Sequence, residues 1–176
     1  MTIDIRIPYD PDKNIALAYN TAVQSSSADW LLFLDWDVFL LLPNFYSVLL
    51  SVIDKVPANC GWISARTNRL GPRTVIHQLC ADAPQSDDIN EHSLFANQMY
   101  DRHEDDIYDI TALAKKVPLS GCFILTPRKV AEKIKFRGEL LGCDNHYNND
   151  LINNGYTIYL MPGFYIYHNR KRQWMK

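Results

Sequence analysis

The stretch Trp30 to Pro43, WLLFLDWDVFLLLP, constrains this chain most: an apolar run interrupted only by two carboxylates around a tryptophan. Leu31 to Leu34 are four large apolar residues in succession with no polar face. That is the pattern of a strand covered on both sides in an α/β sheet. Period-two geometry then predicts that Asp35 and Asp37 project to one side and Trp36 to the other. Acids at the carboxyl end of such a strand sit where open α/β sheets take their ligands, and paired hard oxygens suit a divalent cation. Five apolar residues, Val38 to Leu42, follow directly, so the acids are flanked on both sides by sequence that favours burial. Buried carboxylates require a cation or hydrogen-bond donors. The alternative for the triplet is structural capping.

The flanking sequence alternates strands and helices. Ile3, Ile5 and Ile7 mark a short strand halted by Pro8. From Asn14, the positions Ile15, Ala18, Tyr19, Ala22 and Val23 recur at helical spacing, so strand, helix and buried strand make a βαβ unit. Phe45, Val48, Leu49, Val52 and Ile53 predict a second helix, with Pro43 in its first turn. Cys60 to Ala65 predicts another strand. Residues 66–117 lose periodicity and are expected to be irregular, with short helices and a hairpin, forming an acceptor or substrate wall. Within them, Asp101, Glu104, Asp105 and Asp106 read as solvated charge, and His77, His92 and His103 as loop residues. Pro118 to Leu125 predicts a strand, and Thr126-Pro127 the N-cap and first turn of a helix through Ile134. Gly142 to Gly155 predicts a helix with Tyr147, Leu151 and Ile152 inward. Tyr156 to Leu160 and Phe164 to His168 predict two strands separated by a turn at Pro162-Gly163. The whole reads as one α/β domain of 176 residues, a mixed sheet flanked by helices.

Composition narrows the function classes. A net charge of −2 carries no excess suited to nucleic acid, although Arg170, Lys171, Arg172 and Lys176 form a local basic cluster that fits a smaller anion. The one long apolar stretch, Leu31 to Ile53, contains Asp35, Asp37, Pro43 and Asn44. Two central aspartates cost about 2.5 to 3.5 kcal/mol each in a bilayer, which excludes a transmembrane segment there. Met1 to Asp10 has neither the basic start nor the apolar core of a signal peptide, so a cytoplasmic location is expected. Four dispersed cysteines without a C-x-x-C pair predict neither a zinc site nor a disulfide scaffold.

Taken in order, these pieces resemble the GT-A glycosyltransferases, particularly the inverting group called family 2. Asp35-Trp36-Asp37 matches that fold's D-x-D element. Gly142, Asp144, Gly155 and Tyr156 match the spacing of its later G-E-D-x-D motif, and Ser120-Gly121-Cys122-Phe123 its acceptor-side strand. Asn14, Ala18 and Asn20 are in register with its N-x-G-x-A-x-x-N helix. Cys143, His146 and Asp150 depart from the pattern, and only about a dozen residues precede the first helix.

The resemblance implies a metal-dependent transfer of a sugar from a nucleotide-diphosphate donor to a carbohydrate or other hydroxyl acceptor, with inversion. Asp35, Asp37 and His168 would ligate Mn²⁺ or Mg²⁺, the imidazole favouring Mn²⁺. Asn14, Asp35, Arg170, Lys171 and Arg172 would hold the donor, and Asp144, opening a helix, would be the general base, the alternatives being that it only caps that helix or that His146 takes the proton. Trp36, Tyr100 and Trp174 offer rings for stacking. The short front end fits a minimal enzyme, a degenerate relative, or a fragment whose nucleotide site a homo-oligomer or partner chain would complete. Two other classes remain open. One is an inactive module of the same fold that binds nucleotide sugars or carbohydrate. The other is a metal-dependent hydrolase built on Asp35, Asp37, Asp144 and His146.

Overall fold

The computed structural model describes residues 1–70, 77–138 and 142–169. The elements follow in chain order as β1 (Ile3–Arg6), α1 (Ile15–Ser25), β2 (Trp30–Leu34), β3 (Val38–Leu40), α2 (Phe45–Lys55), β4 (Cys60–Thr67) and α3 (Ile89–His103). After them come β5 (Tyr108–Asp109), α4 (Thr111–Ala114), β6 (Phe123–Pro127), α5 (Arg128–Lys133), α6 (Cys143–Asn153) and β7 (Thr157–His168). They build a compact α/β domain whose mixed sheet runs β1-β2-β6-β4-β7-β3, with β5 against β7.

β2 is buried along its whole length, and its two faces serve two cores. Leu32 and Leu34 pack with Leu49, Val52, Ala96, Met99 and Phe164, the side covered by α2 and α3. Leu31 and Phe33 pack with Tyr19, Val23, Trp62, Tyr147 and Leu151, the side covered by α1 and α6. Burying each such side chain contributes about 1.5 to 3 kcal/mol, which is why no polar residue interrupts the strand. β1 pairs with β2 in parallel, as the βαβ unit requires. The side chain of Asn14 caps α1 by accepting the N–H of Leu17 at 3.0 Å.

The sheet must curl. β2 and β3 are separated by only Asp35, Trp36 and Asp37, yet β6, β4 and β7 lie between them in the sheet. Four Cα steps from Leu34 to Val38 reach at most about 14 Å. Four strand spacings across a flat sheet come to about 19 Å. Only a curled sheet lets the chain pass from the end of β2 to the edge beyond β7 in so few residues.

Several expectations are corrected. Asp35 to Val38 is a turn closed by the Val38 N–H donating to the Asp35 carbonyl at 3.2 Å, not extended strand, because the crossing to β3 begins there. Pro43 precedes the Asn44 cap of α2 instead of standing in its first turn. Within 66–70 and 77–117 the chain is less irregular than expected: β4 extends to Thr67, and α3, with 15 residues, is longer than any other described helix. It buries His92, Ala96 and Met99 at four- and three-residue spacing, a narrow stripe among polar neighbours. His92 is therefore a core residue and not a loop residue. Strand β6 begins only at Phe123, and Thr126 lies within it, donating its hydroxyl to the Gly61 carbonyl at 2.7 Å instead of capping α5. Pro162-Gly163 is no turn, since β7 continues through it in the same direction. The register against β4 slips there, from Ala65 opposite Met161 to Arg66 opposite Tyr165. A bulge suits proline, which has no N–H for the ladder, and glycine, whose added Cβ would lie 2.5 Å from the Glu104 carbonyl oxygen.

Candidate metal centre

β1, β2, β4 and β7 run the same way, since β2 and β4 are each antiparallel to β6 and β7 is parallel to β4. Their carboxyl ends share one edge of the sheet, and the sequence-predicted acids and histidine meet there. Nε2 of His168 lies 3.2 Å from Oδ1 of Asp37 and 3.8 Å from Oδ2 of Asp35. One ligand atom from each of the three residues falls within 4.8 Å of the others.

Each is placed by the main chain around it. Asp35 continues from β2 and donates its N–H to the Cys122 carbonyl at 3.3 Å, which fixes it beside the start of β6. Asp37 enters β3, whose first residue Val38 stands opposite His168 at the end of β7. The Asp37 carbonyl accepts the N–H of Asn169 at 2.8 Å. The ladder thus sets the last residue of β7 beside the second acid of the turn. Exposure differs within the trio: the side chain of His168 is 3 % exposed, Asp37 12 % and Asp35 45 %, so the centre opens toward solvent on the Asp35 side.

The imidazole is held from behind. Nδ1 of His168 lies 3.1 Å from the Arg69 carbonyl oxygen, which can only accept, so Nδ1 carries the proton. In the neutral ring Nε2 then presents a lone pair to the two carboxylates. That is the orientation of a metal-ligating histidine whose other ring nitrogen is held by a main-chain carbonyl. The His168 main-chain N–H donates to Oδ1 of Asn68 at 2.8 Å. Two carboxylate oxygens and one imidazole nitrogen so placed could hold a metal ion.

Asp144 reaches the same edge from the opposite face. Its Oδ2 accepts the Gly121 N–H at 2.8 Å and its Oδ1 the Asn145 N–H at 2.9 Å. Asp35 and Asp144 therefore grip adjacent residues, the Cys122 carbonyl and the Gly121 amide. Their charges meet at Cys122, whose thiol is pushed far up by burial, with both carboxylates adding to the rise. The buried Tyr19 hydroxyl is raised by burial first and then by the same two acids. Gly121 has no room for a side chain, because an added Cβ would lie 2.7 Å from Cβ of Asp144.

Two buried amides that the sequence did not single out complete this lip. Oδ1 of Asn148 accepts the Leu119 N–H at 3.2 Å, and Oε1 of Gln78 accepts the Ser120 N–H at 2.8 Å. Three successive main-chain donors, at residues 119, 120 and 121, are thus taken by side chains from α6 and from the chain beyond β4. A polar residue on the inward face of α6 was the one readable signal for Asn148; Gln78 offered none.

Other expected site residues lie elsewhere or play other parts. Asn14 caps α1 and is exposed, and Asn20 clamps Phe136 through both main-chain groups, at 2.8 and 3.1 Å. His146 is exposed on α6, and Asp150 makes a two-pronged ion pair with Arg137. Trp36 is 82 % exposed at the tip of the turn, while Tyr100 packs against the core. Arg170, Lys171, Arg172, Trp174 and Lys176 lie outside the described residues. The cysteines are buried free thiols, and burial lifts Cys60 and Cys143 to about 12. A cavity of about 310 Å³ opens at the other end of β2, beside Trp30, Asp29 and Arg128, a strand's length from the acids.

No helix among the described residues is long and apolar enough to cross a membrane. No protein-family model matches the chain, and no curated protein matches it either.

Proposed function

We propose that this protein is a metal-dependent glycosyltransferase of GT-A type that moves a sugar from a nucleotide-diphosphate donor to an acceptor hydroxyl with inversion. The observation that carries the reading is the convergence of Asp35, Asp37 and His168, from separate parts of the chain, at the carboxyl edge of the parallel strands. A cation held by these three would neutralise charge on the departing diphosphate. Asp37, the less exposed acid, is the principal anchor, and the Arg69 carbonyl keeps His168 aimed at it.

Asp144 is the proton acceptor in this scheme. Each of its oxygens already accepts one main-chain N–H, which leaves a lone pair on each for the acceptor hydroxyl. As that hydroxyl oxygen bonds to the anomeric carbon, its proton passes to Asp144. The bond from the anomeric carbon to the β-phosphate oxygen breaks, and the nucleoside diphosphate leaves with the electron pair. Trp36, exposed beside the acids, supplies a ring against which a sugar or base can stack.

The test is a thermal-shift screen of nucleotide sugars with and without Mn²⁺, followed by an assay for transfer. Asp37→Ala is expected to abolish the metal-dependent shift, and Asp144→Asn to keep donor binding but lose transfer. Retention of the shift in Asp37→Ala refutes the metal centre. Wild-type transfer by Asp144→Asn refutes the base. Donor binding without transfer or hydrolysis in the wild type would make the protein a binding module instead.

A further inference from the structure

Three buried side-chain nitrogens have no hydrogen-bond partner: Nε of Arg66, Nδ2 of Asn68 and Nε2 of His77. Folded proteins rarely leave such groups unmatched, because each forfeits the hydrogen bond it had in water. Arg66 also forms no ion pair among the described residues, although a half-buried guanidinium is costly without an anion.

The chain doubles back beside the end of β4. The Thr67 N–H donates to the Gln78 carbonyl and the Cys80 N–H to the Thr67 carbonyl, both at 2.8 Å, which lays residues 77–80 alongside the end of β4. Gln78 secures that placement through its 2.7 Å bond to Ser64. Arg66 lies near the end of β4 and Asn68 just past it, the Arg66 side chain also meets the Cys80 thiol, and its charge is felt by His77. Asn68 is buried, and its other amide atom, Oδ1, accepts from the His168 main chain, so its unmatched amino group stands next to the metal centre.

A guanidinium and an amide NH₂ offer only donors, and His77 adds a third when Nε2 carries its proton, so the set calls for an acceptor-only, negatively charged group. We propose that Arg66, Asn68 and His77 form an oxyanion subsite that takes a phosphate or carboxylate group of a bound ligand. It requires neither the metal nor the transfer reaction, since its donors are distinct from Asp35, Asp37 and His168.

The test uses the full chain without divalent cations. Inorganic phosphate and acetate are titrated against chloride at equal ionic strength, with melting temperature as the readout. A saturable, phosphate- or acetate-specific rise is expected, and the stronger of the two anions names the source. Arg66→Gln should weaken that affinity roughly tenfold or more, the loss of one charge-assisted hydrogen bond, while Arg66→Lys should recover part of it. The effect should persist in Asp37→Ala, which removes the proposed metal centre. Equal response to chloride and phosphate in the wild type overturns the subsite, with water then filling the donors. So does unchanged phosphate affinity in Arg66→Gln. Should Arg66→Gln fail to fold, the wild-type comparison of anions still decides.

Discussion

Replacing Asp144 by asparagine should cost stability whether or not Asp144 is a base. Its two oxygens receive two different N–H groups, Gly121 on Oδ2 at 2.8 Å and Asn145 on Oδ1 at 2.9 Å. Asparagine has one carbonyl oxygen, so its NH₂ must face whichever N–H the oxygen does not meet. One charge-assisted hydrogen bond is lost and two donors oppose each other, which together amount to about 2 kcal/mol. For a chain of this length that lowers the melting temperature by roughly 4 to 8 °C. Urea denaturation gives the free energy directly. The local geometry supplies a control: Gly121→Ala leaves the carboxylate intact but drives a methyl to 2.7 Å from Cβ of Asp144, so it should destabilise through the same contact. The two together should cost less than the sum of the single changes, since both break one clamp. Should Asp144→Asn melt within 1 °C of the wild type, the clamp between α6 and the approach to β6 is not formed. Transfer assays on Asp144→Asn belong well below its own melting temperature, where loss of turnover reports chemistry and not unfolding.

Two further outcomes follow from the packing around α2, α3 and β7. Hydrogen bonds from Lys55 and Ser51 hold the Asp105 carboxyl below its usual range. Because the folded value is depressed, that stability is present above the unfolded value and lost as pH falls through the folded one. Asp105→Asn should therefore cost about 1 kcal/mol at neutral pH, and the deficit should shrink in denaturation series run below about pH 4. His92→Phe removes the partner of the buried Tyr165 hydroxyl at 2.7 Å and the contact to the Ser86 carbonyl at 3.0 Å. It should destabilise by about 2 kcal/mol in urea titration, despite preserving a ring to stack on Tyr167.

The sequence was most legible where one face or one run decides burial. Val48, Leu49, Val52 and Ile53 repeat at helical spacing and are the buried face of α2. Leu31 to Leu34 could only be a two-sided strand. α3 was missed because its buried stripe is narrow and includes a histidine, so hydrophobic periodicity falls below notice. A different signal was there: Asp88 caps the helix by accepting from Asn90, and Glu91 follows three residues later, the spacing of a capping box. The candidate ligands Asp35, Asp37 and His168 were readable as residue types. What brings them together was not, since the Val38–His168 register depends on pairing across 130 residues. For the same reason the turn at Asp35 was misread as strand: local alternation knows nothing of where β3 must go.

The turn also bears on why acids stand where they do. It closes through the Asp35 main-chain carbonyl, so a carboxylate is not what satisfies the Val38 N–H. A junction of three residues forced by the curl of the sheet leaves little freedom for the side chains to separate. Two carboxylates with oxygens within 4.8 Å of each other repel by about 1 to 3 kcal/mol, depending on how much water screens them. For closing the turn, asparagine or glycine would serve without that repulsion. Both acids therefore stand close together on this short bridge, opposite an imidazole whose Nδ1 faces the Arg69 carbonyl. A cation among them, as in the proposed metal centre, would offset that repulsion. Capping alone would call for one acid facing a main-chain donor, and Asp37 instead faces His168.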